Sequence, residues 1–210
     1  MSLCEIAAGL AARPGSVQGL ATDLGLATDT GLDHASNLLV FPNGFTAAPW
    51  DTTQQITLAP NFPDPNGTNF AWNLLDNAAN NDHAIQQHIT TLGAQGQLCA
   101  ASLYVKQNNG RYCCIGFSND TNAVFACIDT QAGAITQQIA TGTGVLAGAD
   151  LRALGNGWYR ARVVGRVPGI DVFYTAALAN SATPGVLAPI YAGTGTGVFI
   201  WHARLSFGGA

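Results

Sequence analysis

Two short stretches of this sequence carry side chains that could bind a metal ion. His83 and His88 flank the start of a predicted strand, but a spacing of five positions puts two strand side chains on opposite faces. The segment 64–69, Asp-Pro-Asn-Gly-Thr-Asn, offers oxygen ligands of a calcium-loop type. It lacks a closing bidentate Glu, and an Asx turn at Asp64 accounts for the same residues. We therefore predict no metal and no cofactor, with the His side chains on the surface or capping loops.

Catalytic chemistry also lacks its usual residue patterns. The sequence has no Gly-x-Ser-x-Gly elbow, no phosphate-binding loop, and no Cys with a nearby His that suggests a nucleophile. Glycoside hydrolysis needs two carboxylates across a cleft, and the single Glu, Glu5, lies near the start of the chain. We predict that the chain is not an enzyme, and a hydrolase built on scattered Asp residues is the alternative.

The composition predicts a surface of low charge. The chain has 210 residues, 48% of them hydrophobic and 10% charged, whereas charged residues make up about a quarter of an average soluble domain. Asn, Gln, Thr, Ser and Gly must carry the surface instead, and such groups tolerate desolvation at an interface better than Lys and Glu do. With a net charge of −4, no basic stretch and no apolar run of about 18 residues, we predict neither a nucleic-acid partner nor a membrane span.

The few charges are unevenly distributed along the chain. Residues 1–99 contain eight acids and one base, whereas residues 100–210 contain seven bases and four acids. Oppositely charged halves could pack against each other or against neighbouring subunits, and chance in a low-charge chain is the alternative.

Residues 1–36 differ from the rest and are predicted to form an N-terminal arm. They contain no aromatic residue, and four Gly between positions 15 and 31 would interrupt a long helix. A short helix over 3–12 followed by an extended segment cannot close its own core, so its apolar residues should dock on another surface. A mobile tail is the alternative. The predicted docking residues are Leu3, Ile6, Leu10, Leu20, Leu24 and Leu26.

The five Cys residues are predicted to be reduced. The first base, Arg13, follows the N-terminal apolar stretch, so the positive start of a secretory signal is missing and we expect assembly in a reducing cytoplasm. Buried thiols then act as small hydrophobic groups. A disulfide between Cys113 and Cys127, across one strand pair, is the alternative.

From residue 37 onward, short apolar runs separated by turn residues predict an all-β sandwich over 37–210. The turn at Asn108-Asn109-Gly110 and a polar cluster at 118–122 predict a three-stranded meander over 97–129. Gly-rich stretches at 141–148 and 193–197 are predicted loops. The predicted strands lie near 37–42, 53–59, 68–75, 84–92, 97–106, 111–118, 122–129, 134–139, 158–166, 170–178 and 198–207.

Alternation is clearest in the predicted strand 158–166. Trp158, Arg160 and Arg162 share one side. Tyr159, Ala161 and Val163 share the other. This strand is therefore predicted to have one solvated face.

An ordered set of five motifs resembles the jelly-roll domains of tailed-phage virion proteins, which are similar to carbohydrate-binding modules. The resemblance covers about residues 37–207, and the last motif has Arg204 where the family usually has an acidic or amide residue. The motifs are Asn37-Leu38-Leu39, Ser102-Leu103-Tyr104-Val105-Lys106, Asp129-Thr130-Gln131-Ala132-Gly133, Gly155-Asn156-Gly157-Trp158-Tyr159-Arg160 and Phe199-Ile200-Trp201-His202-Ala203-Arg204-Leu205. The resemblance implies a two-sheet antiparallel jelly-roll sandwich, no catalysis, frequent trimeric assembly and, in some members, glycan binding.

A glycan site needs flat rings to stack on pyranose C–H groups and planar polar groups for the hydroxyls. Trp158 and Trp201 lie on predicted strands and are expected in the core. Trp50 and Trp72 lie beside loops, although burial in the core is also open for them. The candidate glycan-binding residues are Trp50, Trp72, Asn73, Tyr112 and Tyr191.

Together these observations predict a phage or phage-like virion protein without enzymatic activity. Its β-sandwich would attach to a bacterial surface polysaccharide, and its arm would contact other virion proteins. A homo-oligomer, most simply a trimer, is expected, in virions assembled in the bacterial cytoplasm. The alternatives are a purely structural capsid, tail decoration or fibre protein without a glycan ligand, and the hydrolase.

Overall fold

The computed structural model describes residues 37–51, 54–90, 96–119 and 121–207. The predicted arm, 1–36, and its docking residues lie outside the described residues. No helix in the described part of the chain has the length and apolar character that a membrane crossing needs.

The described residues form fourteen β-strands: β1 (Trp50–Asp51), β2 (Ile56–Phe62), β3 (Ala71–Asp76), β4 (Asn80–Asp82), β5 (Ala84–Ile89), β6 (Cys99–Gln107), β7 (Tyr112–Asn119), β8 (Asn122–Asp129), β9 (Ala134–Thr141), β10 (Val145–Gly155), β11 (Trp158–Arg166), β12 (Val172–Ala179), β13 (Ile190–Ala192) and β14 (Gly197–Phe207).

These strands build two large antiparallel sheets and one small ribbon. The first sheet has the order β1-β5-β12-β7-β8-β9, and the second has the order β10-β11-β6-β14-β3-β2. Strands β4 and β13 pair with each other. The chain passes repeatedly from one sheet to the other, and the predicted all-β, two-sheet antiparallel sandwich is confirmed.

The core lies between the two large sheets because alternate side chains of both point inward. Leu103 and Val105 of β6 and Ile115 and Phe117 of β7 are fully buried and belong to one apolar cluster. Full burial of such a side chain contributes about 1.5–3 kcal/mol. On the outer face of the first sheet, Cys114, Phe125 and Cys127 are also fully buried and form a second apolar cluster with Leu187.

The predicted meander over 97–129 is wrong in one connection. Strands β7 and β8 pair in the first sheet, but β6 belongs to the second. The Asn108–Gly110 segment therefore crosses between the sheets. Its backbone lies against β14, because the Gly110 N–H donates to the carbonyl of Gly197 at 2.7 Å.

Two other predictions about strands fail. Residues 37–42 form bends and turns, although Leu39 is buried and the Asn37 amide hydrogen-bonds the backbone of β14. The predicted loop 141–148 runs into β10, an 11-residue strand paired along its length with β11. The sequence of β10 is rich in Ala and Gly and did not predict a strand. Pairing with β11, rather than a pattern of large apolar side chains, places these residues in the sheet.

The structure corrects the prediction that all the Cys residues are reduced. Cys114 and Cys127 form a disulfide, with an S–S distance of 2.07 Å. The register between β7 and β8 pairs Cys114 with Cys127 and Cys113 with Ile128, so the suggested partner was one residue away from the real one. Cys99 and Cys113 are free thiols, and burial raises the pKa of each to about 12.

Candidate functional site

The outer face of the second sheet collects most of the cationic side chains of the described chain. Inward positions of β6 and β11 carry Leu103 and Ala161, so the residues between them point outward. We call this surface the arginine–aromatic face. It consists of Tyr104, Lys106, Arg152, Arg160, Arg162, Trp201, His202 and Arg204, with Asp150 at its edge.

The face is organised in rows across neighbouring strands. Directly paired residues lie on the same face, about 4.5–5.5 Å apart at their Cβ atoms. One row contains Arg152, Arg160, Tyr104 and Trp201, contributed in turn by β10, β11, β6 and β14. The adjacent row contains Asp150, Arg162, Ser102 and Arg204 from the same strands. Guanidinium groups thus lie in both rows, next to aromatic rings.

A β-bulge in β14 places Trp201 on this face. The register of β14 against β6 shifts between Trp201 and Arg204, and His202 there has a φ of 48°. Because the bulge adds a residue, Ile200 and Ala203 both point into the core although they are three positions apart. The expectation that Trp201 is a core residue is therefore wrong. Trp158 is buried as expected.

Three rings form a cluster at the centre of the face. The ring of Tyr104 lies 4.9 Å from that of Trp201, edge to face, and 6.0 Å from that of His202. The Trp201 and His202 rings are 5.2 Å apart. Burial, and then the positive charge of Arg204, lowers the pKa of His202, so this ring is neutral near pH 7. The cluster is aromatic and largely uncharged, between cationic neighbours.

Two polar features of the face bear on ligand binding. The indole N–H of Trp201 is buried and has no hydrogen-bond partner among the described residues. The guanidinium of Arg162, whose side chain is 9% exposed, lies 3.7 Å from the carboxylate of the half-exposed Asp150. That ion pair lies at one end of its row.

The structure places the five predicted glycan residues in different parts of the sandwich. Trp50 is 6% exposed, packs against Phe45 and Tyr174, and donates its indole N–H to the carbonyl of Phe41. Its faces are covered by the core. Trp72 is half-buried.

The remaining predicted residues are also engaged within the fold. Asn73 is buried and accepts a hydrogen bond from the Asn108 amide. Tyr112 is half-buried, with the guanidinium of Arg111 5.2 Å from its ring. Tyr191 is 9% exposed and donates its hydroxyl to a carboxylate described below. Their part in ligand binding stays a prediction, and the structure does not bring them together.

The two segments considered for metal binding are occupied by internal contacts. Asp64 accepts hydrogen bonds from the N–H groups of Asn66 and Phe70 and from the hydroxyl of Thr68. His83 is buried, with its ring nitrogens on the carbonyls of Gln55 and Tyr191. Over the described ranges, no group of three or more His, Cys, Asp or Glu is arranged to hold a metal ion.

A pocket lies on the outer face of the first sheet. Its volume is about 240 Å³, below the range of about 300–1,000 Å³ that is usual for small-molecule sites. Phe125 contributes an apolar wall, Ser118 and Thr121 contribute hydroxyl groups, and the segment 186–188 closes one side. The pocket contains no ring cluster or group of cations comparable to those of the arginine–aromatic face.

Sequence reasoning missed the arginine–aromatic face although its signals were present. The alternation that puts Arg160 and Arg162 on one side of β11 and the excess of bases after residue 100 both pointed to it. The missing information was the order of the strands around β11, because that order brings residues 104 and 152 beside residue 160, and residue 201 beside residue 104.

Comparison with known proteins gives structural likenesses only. No protein-family model and no curated protein matches the sequence. The carbohydrate-binding module TmCBM61, solved with β-1,4-galactotriose, is 13% identical, with a TM-score of 0.48 over 83% of this chain and 100% of that one. The enzymatically active domain of tailspike protein 4 of bacteriophage CBA120 is 13% identical, with a TM-score of 0.45 over 81% of this chain and 21% of that one. A candidate sugar-binding protein from Bacteroides thetaiotaomicron is 15% identical, with a TM-score of 0.38 over 85% of this chain and 98% of that one.

Proposed function

We propose that this chain is a non-enzymatic protein of a phage or phage-like virion that attaches to a bacterial surface glycan through its arginine–aromatic face. In this proposal the segment 1–36 anchors the sandwich to other virion proteins, and three copies assemble together. The supporting observation is the cluster of Tyr104, Trp201 and His202 rings on the outside of a rigid sheet.

Ring and polar groups on this face suit a saccharide. Sugar rings present C–H groups that pack on aromatic faces, while their hydroxyls need donors and acceptors nearby. Lys106, two positions after Tyr104 on β6 and on the same face, supplies a donor, and the half-exposed carboxylate of Asp150 at the edge supplies acceptors. Strands rather than loops hold them, so little conformational freedom is lost on binding.

Binding without cleavage is favoured because the two described rows of the face contain one carboxylate rather than a pair. Asp150 is the acid in the two described rows, and it pairs with Arg162. Hydrolysis of a glycosidic bond ordinarily uses two carboxyl groups on either side of the bond. These rows therefore suit recognition better than bond cleavage.

An array of bacterial polysaccharides probed with the full-length chain tests this function. We expect at least one polymer to be retained, and Trp201→Ala to weaken its binding about tenfold, the equivalent of about 1.4 kcal/mol. Phe173→Ala is the matched control, since Phe173 stacks on His88 on the outer face of the other sheet. Retention of no polymer, or equal binding by both variants and the wild type, would refute the proposal.

A structural decoration or fibre protein is the second candidate, favoured by the low charge of the chain. In that case the ring cluster would be buried between subunits rather than against a glycan. Native mass measurement distinguishes the two, because Trp201→Ala would then dissociate the oligomer and leave no polysaccharide binding to lose. The anchoring role of 1–36 is tested separately by particle incorporation of a Leu20, Leu24 and Leu26→Ser variant.

A further inference from the structure

We infer that the glycan site extends along the outer face of the second sheet to Phe62 and Phe199, and that it takes at least two consecutive sugar units within a polysaccharide chain rather than one terminal sugar. This inference rests on the proposed function and adds the form of glycan that the site recognises.

A further ring lies on the same face as the cluster of Tyr104, Trp201 and His202. Phe199 precedes Trp201 by two positions on β14, and Ile200, the residue between them, is fully buried in the core. Because alternate side chains of a strand share a face, Phe199 points outward as Trp201 does. The aromatic surface therefore continues along β14 beyond the ring cluster.

Phe62, on the edge strand β2, pairs with Phe199 to form what we call the phenylalanine pad. The two ring centroids are 4.8 Å apart, with the ring planes at 43°. Strands β2 and β14 lie on either side of β3, so their backbones are about 9.5 Å apart, twice the spacing of neighbouring strands. The two rings therefore lean towards each other across β3. Ala71, the partner of Phe62, and Asn73, the partner of Phe199, are 0% and 7% exposed, a burial that fits rings lying over β3.

The ring cluster and the phenylalanine pad together are larger than one sugar ring. Tyr104 of the cluster lies on β6 and Phe62 of the pad on β2, and three strand spacings, about 14 Å, separate these strands. Trp201 and Phe199 connect the two groups along β14, with Cα atoms about 6.7 Å apart. A pyranose is a single six-membered ring, similar in size to one phenyl ring. The combined surface therefore fits consecutive units of a chain.

Lys106 supplies a polar contact between the two groups of rings. It is the direct cross-strand partner of Phe199 and lies two positions from Tyr104 on the same face of β6. Its side chain is half-buried and ends in an ammonium group with several N–H donors. A chain that ran from the cluster to the pad would bring its hydroxyl groups within reach of Lys106. The pad thus has a hydrogen-bond donor beside its apolar surface, as the cluster has the indole N–H of Trp201.

A second group of rings increases affinity because the sugar units are covalently joined. A unit linked to one that is already bound has lost most of its translational freedom, so its contacts with the pad strengthen binding at little further entropic cost. The site lies on the outside of a sheet, and a polymer laid across it can continue beyond both ends. We therefore expect internal units of a polysaccharide to bind, and not only its terminal units.

The decisive experiment measures affinity as a function of oligosaccharide length. Each polymer that the polysaccharide array retains is partially hydrolysed, and its fragments, from a single sugar unit upward, are titrated separately against the full-length chain. Short fragments are used so that one fragment does not bridge two copies of the chain. We expect affinity to rise about tenfold or more once a fragment covers both groups of rings, well above the statistical gain from additional binding positions. Fragments with both ends chemically blocked should bind as tightly as unblocked ones.

Variants of the pad assign this rise to its rings. Phe199→Leu, alone and combined with Phe62→Leu, keeps an apolar side chain but removes the flat ring, and should reduce the ratio of long-fragment to short-fragment affinity to near the statistical value. Lys106→Ala should lower the same ratio without changing the packing of the pad, so it provides the test if the Leu variants do not fold. Phe173→Leu, on the outer face of the first sheet, is the matched control and should keep the wild-type ratio. Circular dichroism and thermal melting confirm that each variant is folded.

The outcomes separate this inference from the proposed function. Three results overturn the extended site: affinity that rises only in proportion to the number of units, a rise that Phe199→Leu and Lys106→Ala leave unchanged, or loss of binding when the ends are blocked. Each of them leaves glycan attachment standing if Trp201→Ala still weakens binding. Absence of binding to every polymer overturns both.

Discussion

Asp76 shows how one carboxylate holds the end of the second sheet together. One oxygen accepts the N–H groups of Thr194, Gly195 and Thr196 at 2.9, 2.6 and 2.8 Å. The other accepts the hydroxyl groups of Thr196 and Tyr191 at 3.0 and 3.1 Å. Burial alone would raise the pKa of this carboxyl, but these donors outweigh it and hold the pKa below its ordinary value.

Replacing Asp76 should therefore destabilise the fold without changing its shape. In Asp76→Asn the amide oxygen can still face the backbone N–H groups, but the charge that strengthens these hydrogen bonds is lost and an NH₂ replaces the oxygen that accepts the hydroxyls of Thr196 and Tyr191. We expect the free energy of unfolding to fall by about 2–3 kcal/mol. Urea denaturation measures the change. Asp82→Asn, which removes the same charge from the nearby β4, is the control and should cost much less. Equal losses in the two variants would contradict the anchoring role.

Tyr191 illustrates what the sequence could indicate about single residues. It is one of the predicted glycan-binding residues and precedes the predicted loop 193–197. The loop is present, but the Tyr191 hydroxyl donates a hydrogen bond to the Asp76 carboxylate. The Tyr191 ring packs on the His83 ring, with the ring centroids 4.6 Å apart. Such partners are distant in sequence, and composition alone does not identify them.

At the scale of elements, locally determined strands were predictable and those determined by their partners were not. Strand β8 matches its predicted range because it is a continuous apolar run bounded by turn residues. Strand β10 and the bulge of β14 escaped prediction. The bulge depends on a positive φ at His202, and a His residue gives no sequence signal for that conformation. The bulge also changes which side chains of β14 face the core.

The start of β14 depends on a close backbone approach that only Gly permits. A Cβ added to Gly197 would lie 1.9 Å from the carbonyl oxygen of Leu74 on β3, and backbone atoms there cannot move aside. We expect Gly197→Ala to reduce the yield of folded protein severely and to lower the melting temperature of what remains.

Gly148→Ala is the matched control for that prediction. Gly148 lies within β10, and a Cβ there would meet nothing within 4 Å. It should fold normally and melt close to the wild type. A Gly197→Ala protein that melted at the same temperature as this control would show that β3 and β14 do not approach as closely as described.

At the scale of the whole molecule, the sandwich separates its charges in space. The sequence already indicated more bases after residue 100, but only the sheet order converts this into a cationic surface, since β6, β10, β11 and β14 lie in the same sheet. The described acids with lowered pKa values lie elsewhere, in loops and strand ends that they hold in place. The charges that stabilise these loops and strand ends thus lie outside the arginine–aromatic face.

Asp64, Asp76 and Asp129, the three described acids with lowered pKa values, predict how the stability of the whole fold depends on pH. Arg111 lowers the pKa of Asp129 through a hydrogen bond, against the effect of burial. At Asp64 and Asp76, burial raises the pKa, but the hydrogen bonds from N–H and O–H donors together outweigh burial, so the net pKa is lowered. Because each folded pKa lies below the unfolded value of about 3.8, the folded state binds fewer protons, and the stabilisation is complete only above that value.

Stability should therefore fall as the pH drops through 3.8 and continue to fall towards the lower pKa values of the folded state. Urea denaturation between about pH 7 and pH 2 measures this dependence. Asp64→Asn tests its source, because a protonated Asp resembles Asn: the variant should be clearly less stable than the wild type at neutral pH, and the difference should shrink as the wild-type carboxyl is protonated. A difference between the two proteins that stayed constant down to the lowest pH would show that the Asp64 carboxylate does not contribute through its charge.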